Sequence, residues 1–440
     1  MKFLFENYKV IKVSDYYIKL IKLFYYLILI KITLRLKLNS ISYNYIYAMC
    51  LIGGPIFIKI SQNISNKIEI NNELSNKLKK FQDNNFDFIA DYHNTNLLKN
   101  KLNIDEISDK PIFSGSIAAI YKCKYQNKEC VLKICHKNIK YDTILSINLF
   151  DRLVKVMPYK YKKLCTQTVK LNAIYNEIIN QIDLNLEYNN LEKIKENFKD
   201  FDNIVRIPKC YYHNSNILIE EYIDGLKFSD FILLYPNKTE ETISLINITF
   251  FKMFFDNYIH VDFHESNLRF SLNEDNKVVI VIYDFGMISY ISDKNIRKQF
   301  MNVFKKNIFL PDTNKLIELF ISLNENLDSD TNKFRETINS YIKANADKIA
   351  IDKIKNEKIT YENNKATTYN IIQHMLDTAS DFDIIICDKI FNILNSFLLI
   401  EDFSLKAYKY NKNFQKNYQV RYKYAETNGF INNIKKSLSK

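Results

Sequence analysis

The sequence predicts an α+β chain in which a helical N-terminal extension precedes a two-lobed domain. Three features of its order carry that reading. Residues 1–105 are dominated by helical patterning. Residues 106–222 place short apolar, β-rich runs on either side of one long amphipathic stretch. Residues 223–405 return to helical texture, interrupted by a single hairpin that ends in Asp284-Phe285-Gly286. Residues 406–440 read as a basic, Asn-rich tail.

Within the extension, Leu23 to Ile30 form an apolar run flanked by Lys22 and Lys31. Eight apolar residues are too few to span a hydrocarbon core of about 30 Å. Glu6 and Asp15 precede the run and no small-residue cleavage site follows at once, so it is a poor signal peptide. A buried or interfacial basic amphipathic helix is expected, which leaves peripheral membrane association open and predicts no transmembrane helix. Gly53-Gly54-Pro55 is the punctuation of this region.

The first lobe opens on a hairpin, I-A-A-I-Y-K-C-K-Y and E-C-V-L-K-I-C around the polar turn Q-N-K. From Ala173 to Phe198 apolar residues recur mainly at spacings of three, four and seven, which predicts one long helix. Strand-like runs follow at Ile204 to Tyr211 and Ile217 to Tyr222. In the second lobe L-R-F-S and V-V-I-V-I-Y flank L-N-E-D-N-K as another hairpin, and Ile384 to Ile400 reads as a core helix.

The composition, 47% apolar and 25% charged over 440 residues, excludes a disordered chain and accommodates two or three domain-sized units. The net charge of +12 reads mainly as Lys-rich solvated surface, and no nucleic-acid partner is expected. Seven cysteines without a C-x-x-C pair or paired histidines argue against a zinc site or a disulfide framework.

Phosphoryl transfer from ATP needs a loop over the phosphates, a cation on them, oxygen ligands for Mg²⁺ and a carboxylate near the acceptor. Candidates for each occur here in that order. Ser114, Gly115 and Ser116 form a small-residue loop at a strand turn, where backbone N–H groups can approach phosphate; a plain turn has the same composition. Lys133 lies in an apolar strand, either facing the nucleotide or on an exposed edge. A buried lysine needs an acid, and the helix from Ala173 offers Asp183 and Glu187 one turn apart, with Glu187 the expected partner.

The most specific signal is H-V-D-F-H-E-S-N followed by the hairpin and D-F-G. Asp262 stands five residues before Asn267, and Asp284 follows the hairpin, so a catalytic-loop carboxylate and two metal ligands are spaced as in kinases. In this reading Asn267 and Asp284 hold Mg²⁺, Lys133 orients the phosphates, Glu187 keeps Lys133 in place, and Asp262 positions or deprotonates the acceptor. The fold class is thereby an α+β, bilobal protein-kinase-like fold with an N-terminal helical extension.

From about Gly54 to residue 405 the sequence resembles the UbiB-like atypical kinases. G-P-I-F-I-K-I-S-Q resembles that family's lysine-glutamine motif, giving Lys59 and Gln62, with Ser61 in place of a glycine. P-I-F-S-G-S-I-A-A-I-Y resembles its nucleotide loop, with Gly115 where alanine is usual. Q-I-D-L-N-L-E-Y-N-N resembles its acidic helix motif, with Gln181 in place of the first acid, and Glu265-Ser266 stand where its catalytic loop has proline-glycine. The hinge resembles I-L-I-E-E-Y-I-D-G, which implies Glu221 beside the nucleotide.

The resemblance implies an ATP- and Mg²⁺-dependent kinase or ATPase linked to isoprenoid-quinone or other lipids, with an isoprenoid lipid or membrane surface as partner. It also implies that Lys59, Gln62 and Asp183 regulate the site, with Lys59 pairing Asp183. No A-P-E motif follows D-F-G, which favours ATP hydrolysis or a small-molecule acceptor over a protein one. A noncatalytic nucleotide- or lipid-binding scaffold and a soluble small-molecule phosphotransferase share parts of the pattern. Mg²⁺-dependent ATP hydrolysis separates the enzyme from the scaffold, while a soluble phosphotransferase usually lacks the D-F-G continuation and would not need the lysine-glutamine extension.

Overall fold

The computed structural model describes residues 12–65, 72–83, 93–156, 171–304, 312–344, 368–410 and 418–438. Glu6, Cys165 and part of the basic tail lie outside the described residues. The chain divides into two compact units: residues 1–189 with 209–222, and residues 190–208 with 223–440.

The first unit begins with α1 (Val13–Arg35), α2 (Asn39–Gly53), α3 (Pro55–Ser65), α4 (Asn72–Asp83) and α5 (Thr95–Leu102). The α2–α3 corner depends on its glycines. Gly54 sits at φ +91°, where side chains are strained, and a Cβ on Gly53 would lie 2.3 Å from the buried Phe57 ring. Pro55 then occupies the first position of α3, where its missing N–H costs no helical hydrogen bond.

Strands β1 (Glu106–Ile107), β2 (Phe113–Ser114), β3 (Ala118–Tyr125) and β4 (Lys128–Cys135) follow, with the β3–β4 turn at Gln126-Asn127, both at positive φ. This is the two-residue hairpin that suits the right-handed strand twist. After α6 (Ile139–Val156), the expected single helix is two, α7 (Leu171–Gln181) and α8 (Leu184–Phe198). The break has a local cause: Asp183 Oδ1 accepts from the Asn185 N–H at 3.1 Å, so Asp183 caps α8 and does not continue α7. Asp183 and Glu187 therefore do not share one helix.

The unit boundary falls between Asn189 and Asn190, within α8. The run expected as one strand at Ile204 to Tyr211 is also divided, into β5 (Val205–Arg206) of the second unit and β6 (Cys210–Asn214) of the first. β7 (Ile217–Glu221) completes the first unit's antiparallel sheet, ordered β1-β3-β4-β7-β6 with β2 also on β3. One core lies between the sheet and the helices α1–α4, α6 and α7; a second, smaller one lies on the other face around Tyr121, Cys130 and Leu132.

The second unit is built around α10 (Thr239–Phe255), which follows α9 (Phe228–Leu234) and is buried on all sides. Its Phe250, Phe251 and Phe254 meet Phe397, while Phe254 and Phe255 meet Phe304. β8 (Ile259–His260), β9 (Leu268–Leu272), β10 (Val278–Ile282) and β11 (Ile288–Ser289) follow. β10 pairs with β9 and, in parallel, with β5; β8 pairs with β11.

The remaining helices are α11 (Lys294–Val303), α12 (Thr313–Ser322), α13 (Thr331–Ala344), α14 (Thr368–Ala379), α15 (Asp388–Tyr410), α16 (Tyr418–Thr427) and α17 (Phe430–Leu438). The core helix expected from Ile384 starts at Asp388. The expected tail is folded where described: α16 and α17 pack on α10 and bury Ala425, Phe430 and Ile434. Among the described residues, no helix is long and apolar enough to cross a membrane.

Candidate functional site

The candidate residues fall into two groups, one in each unit. In the first unit, β4 lies between β3 and β7, with Lys133 opposite Ile120 on one side and Leu218 on the other. The exposed-edge reading of this lysine is thereby excluded. Its ammonium donates to both carboxylate oxygens of Glu187, at 2.7 and 2.8 Å, with the side chains only 12% and 3% exposed. Burial pushes the nearby Cys135 thiol up to about 11, against the pull of Lys133. The ion pair is largely shielded from solvent, so its effective dielectric is lower than that of water.

The small-residue loop is a tight β2–β3 hairpin. Gly115 N–H is committed to the Ala118 carbonyl at 2.9 Å, so Ser116 and Ile117 occupy its tip. Ser114 is fully buried. His136, just past β4, reaches the Gly115 carbonyl through Nε2 at 2.8 Å, while its backbone N–H donates to the Ile117 carbonyl. A carbonyl only accepts, so Nε2 carries the proton. Burial lowers the His136 pKa, opposed by the bond to the Gly115 carbonyl.

Glu221 ends β7, and its Oε2 accepts from the Lys209 N–H at 3.2 Å. Gln62 donates from Nε2 to the Phe81 carbonyl at 2.6 Å, tying α3 to α4. Ser61, in place of the glycine, is buried and donates to the Phe57 carbonyl at 2.7 Å. Lys59 is half-buried on α3, and Asp183 is exposed at the α8 cap.

In the second unit, the β8–β11 ladder sets the loop after β8 beside the turn before β11, with Val261 N–H donating to the Met287 carbonyl. Asn267 donates from Nδ2 to the Asp262 carbonyl at 2.9 Å. This orients the amide and leaves Oδ1 for a cation. Asn267 and Asp284 are linked through the backbone, since the Tyr283 N–H donates to the Asn267 carbonyl at 2.9 Å.

Asp284 takes the left-handed conformation, at φ +57°, and its Oδ1 accepts from Gly286 N–H at 3.3 Å. A short polar side chain tolerates that conformation, which turns Phe285 inward to full burial. Asn190 donates to the Phe285 carbonyl at 2.9 Å and accepts from the Tyr258 hydroxyl at 2.6 Å. An amide oxygen and a carboxylate are hard donors suited to Mg²⁺, which takes few protein ligands when phosphates and water supply the rest.

Two anchors escaped the sequence pattern. His260, fully buried, accepts from Asp262 N–H at Nδ1 (3.3 Å) and donates from Nε2 to the Tyr283 carbonyl (3.2 Å), so it clasps the loop to the turn. Burial lowers its pKa, opposed by Asp262 and Asp284, and the neutral tautomer fits both bonds. Its place two residues before Asp262 was the available signal.

Glu265 is the second. Its Oε1 accepts from both the N–H and the hydroxyl of Ser229 on α9, each at 2.8 Å, and its Oε2 from Lys406 on α15 at 2.9 Å. Burial pushes the Glu265 pKa up, but Lys406 and Ser229 outweigh it and hold it below the ordinary range. No local pattern announces partners 36 and 141 residues away.

Residues 73–320 match the family model described as the ABC1 atypical kinase-like domain. The chain is similar to a Blochmanniella pennsylvanica protein named "Probable protein kinase UbiB", at 25% identity over 344 residues, covering 72% of this chain and 61% of that protein. A Shewanella protein of the same name is 22% identical over 375 residues, covering 81% and 65%. The chain thus spans less than two thirds of the length of these curated relatives. Among solved structures, a Mycobacterium tuberculosis protein in complex with erythromycin aligns at a TM-score of 0.42 and 14% identity, over 70% of this chain and 75% of that one.

Proposed function

This chain belongs to the ABC1 atypical kinase-like family, and on that premise we propose that it binds ATP with Mg²⁺ and moves the γ-phosphoryl group to water or to a small acceptor. The observation that carries the proposal is the buried ion pair of Lys133 and Glu187 in a central strand. Such a pair contributes little net stability to a fold, because desolvation offsets its attraction. It does fix an ammonium in place for phosphate oxygens.

When bound, Mg²⁺ would neutralise charge on the phosphates as the bond to the leaving oxygen lengthens. Asn267 Oδ1 and the Asp284 carboxylate would hold it. Lys133 would orient the phosphates, with Glu187 keeping its ammonium aimed. Asp262 would accept the proton of the attacking hydroxyl or water, so that ADP leaves as the phosphoryl group is taken up. At the loop, Ser116 and Ile117 would offer N–H groups to phosphate, and Glu221 would lie towards the nucleotide. We assign a regulatory role to Lys59 and Gln62 of the extension together with Asp183 at the α8 cap.

The missing A-P-E motif supports a non-protein acceptor, and the resemblance to UbiB-like kinases supports a link to isoprenoid-quinone or related lipids. The test is ATP binding and hydrolysis by the purified chain with and without Mg²⁺. Wild type turns over ATP only with Mg²⁺, and Asp284→Ala lowers the rate by about 100-fold or more. Binding without turnover replaces the enzyme with a nucleotide-binding scaffold. Absence of both overturns the proposal.

A further inference from the structure

Three hydrogen bonds fix the backbone of Asp262. Its N–H donates to His260 Nδ1 at 3.3 Å, and its carbonyl accepts from Asn267 Nδ2 and from the His264 N–H, each at 2.9 Å. None of the three reaches the carboxylate. A carboxylate turns about two side-chain bonds, so a pinned backbone does not settle where its oxygens point. The bond from the His264 N–H closes a three-residue turn at Phe263, whose ring is fully buried. The side chains on either side of Phe263 are turned outward together. Asp262 and His264 keep 22% and 37% side-chain exposure, and His264 Nε2 lies 3.4 Å from Asp262 Oδ2.

The imidazole that faces this carboxylate is itself held. His264 Nδ1 accepts from the Ser266 N–H at 3.2 Å, capping the short helical turn Glu265–Asn267. A ring nitrogen that accepts carries no proton, so Nε2 has it, and Nε2 is the atom turned to Asp262. Both chain neighbours of His264 are anchored, Phe263 in the core and Glu265 on Ser229 and Lys406. The ring thus presents one N–H to one carboxylate oxygen from a fixed place. At 3.4 Å a small turn of either group completes the bond.

We propose that His264 is a positioning residue for Asp262: its Nε2–H donates to the carboxylate and fixes the direction from which Asp262 takes the acceptor's proton. The inference rests on the phosphoryl-transfer role of Asp262. In that step the acceptor oxygen bonds to the γ-phosphorus, the bond from phosphorus to the ADP oxygen breaks, and the acceptor's proton goes to the Asp262 carboxylate. A base works only within hydrogen-bond reach of the proton it takes, and a misplacement of about 1 Å costs about 100-fold in rate. A donor on the carboxylate therefore acts on the chemical step. It does not act on the hold on ATP, which is the work of Lys133, Asn267 and Asp284 in the same reading.

The test uses the purified full chain and two amide replacements that divide the ring's two contacts. In His264→Asn the amide oxygen stands where Nδ1 was and keeps the Ser266 cap; in His264→Gln the amide nitrogen stands where Nε2 was and keeps the donor to Asp262. Mg²⁺-dependent ATP turnover is expected to lose about tenfold or more of kcat in His264→Ala and His264→Asn, with KM for ATP unchanged, and His264→Gln recovers most of the loss. His264→Asn that matches wild type, His264→Gln as slow as His264→Ala, or rates that follow the melting temperatures of the three variants overturn the inference, because none of these outcomes needs the donor. A second readout is taken without nucleotide. Nitrogen-15 spectra of the histidine-labelled chain show His264 protonated on Nε2 and not on Nδ1, and Asp262→Asn shifts that Nε2 signal. A proton on Nδ1, or an Nε2 signal indifferent to Asp262→Asn, overturns the inference as well. Wild type that turns over no ATP overturns phosphoryl transfer and this role with it, whereas turnover at the wild-type rate in His264→Asn sinks the role of His264 alone.

Discussion

At the scale of single residues, a lysine whose side chain is only 12% exposed, as at Lys133, has little access to water. Its ammonium must therefore meet a carboxylate, and Lys133 meets both oxygens of Glu187. Removing one partner strands the other charge in a site largely shielded from solvent. Lys133→Met is expected to destabilise the fold by about 3–5 kcal/mol, with Glu187→Leu similar and the double variant well short of their sum. Chemical denaturation of the four proteins measures this, and additive costs would show that the pair is not coupled. Lys133, Asp262, Asn267 and Asp284 stand out in the sequence by short-range spacing, and the partnership of Lys133 with Glu187 was read there from the same local pattern. His136 was not, since what makes it matter is the Gly115 carbonyl 21 residues back, which only the folded hairpin brings to Nε2.

At the scale of elements, the loop that carries Asp262 and Asn267 is held from outside by two helices. α9 supplies two donors to Glu265 and α15 supplies Lys406, whose pKa burial lowers but whose partners Asp402 and Glu265 raise it on balance. Lys406→Met leaves a largely buried carboxylate with only Ser229, at an expected cost of about 2 kcal/mol. Lys406→Arg should recover most of it. Thermal or denaturant unfolding of both variants checks this, and a neutral Lys406→Met would mean that Ser229 alone suffices. The hairpins were legible from alternation around turn residues. The division between α7 and α8 was not: apolar periodicity runs through Ile182, and only the cap formed by Asp183 and the bond from Leu184 N–H to the Ser215 carbonyl end one helix and start the next.

At the scale of the whole molecule, stability should depend on pH through its buried and half-buried histidines. Burial lowers the pKa of His93, His136, His260 and His374 from 6.5. The unfolded chain then takes up protons first as pH falls, so stability is full above 6.5 and declines below it. Every tenfold loss of proton affinity on folding puts at most about 1.4 kcal/mol at stake. Glu265, held below its ordinary 4.5, adds a second loss only under more acid conditions. Melting temperatures between about pH 8 and pH 5 should fall on the acid side, and His136→Gln should flatten the slope; a flat wild-type profile would contradict the burial of these rings. The sequence by itself determined the α+β, kinase-like class and the family, because periodicity and motif spacing are local properties of the chain. Tertiary structure decided the rest: that Lys133 is central and not on an edge, that Asp183 is a cap, and that the basic tail packs on α10. Each of those depends on which distant segment arrives alongside, and burial, unlike spacing, belongs to the assembled molecule.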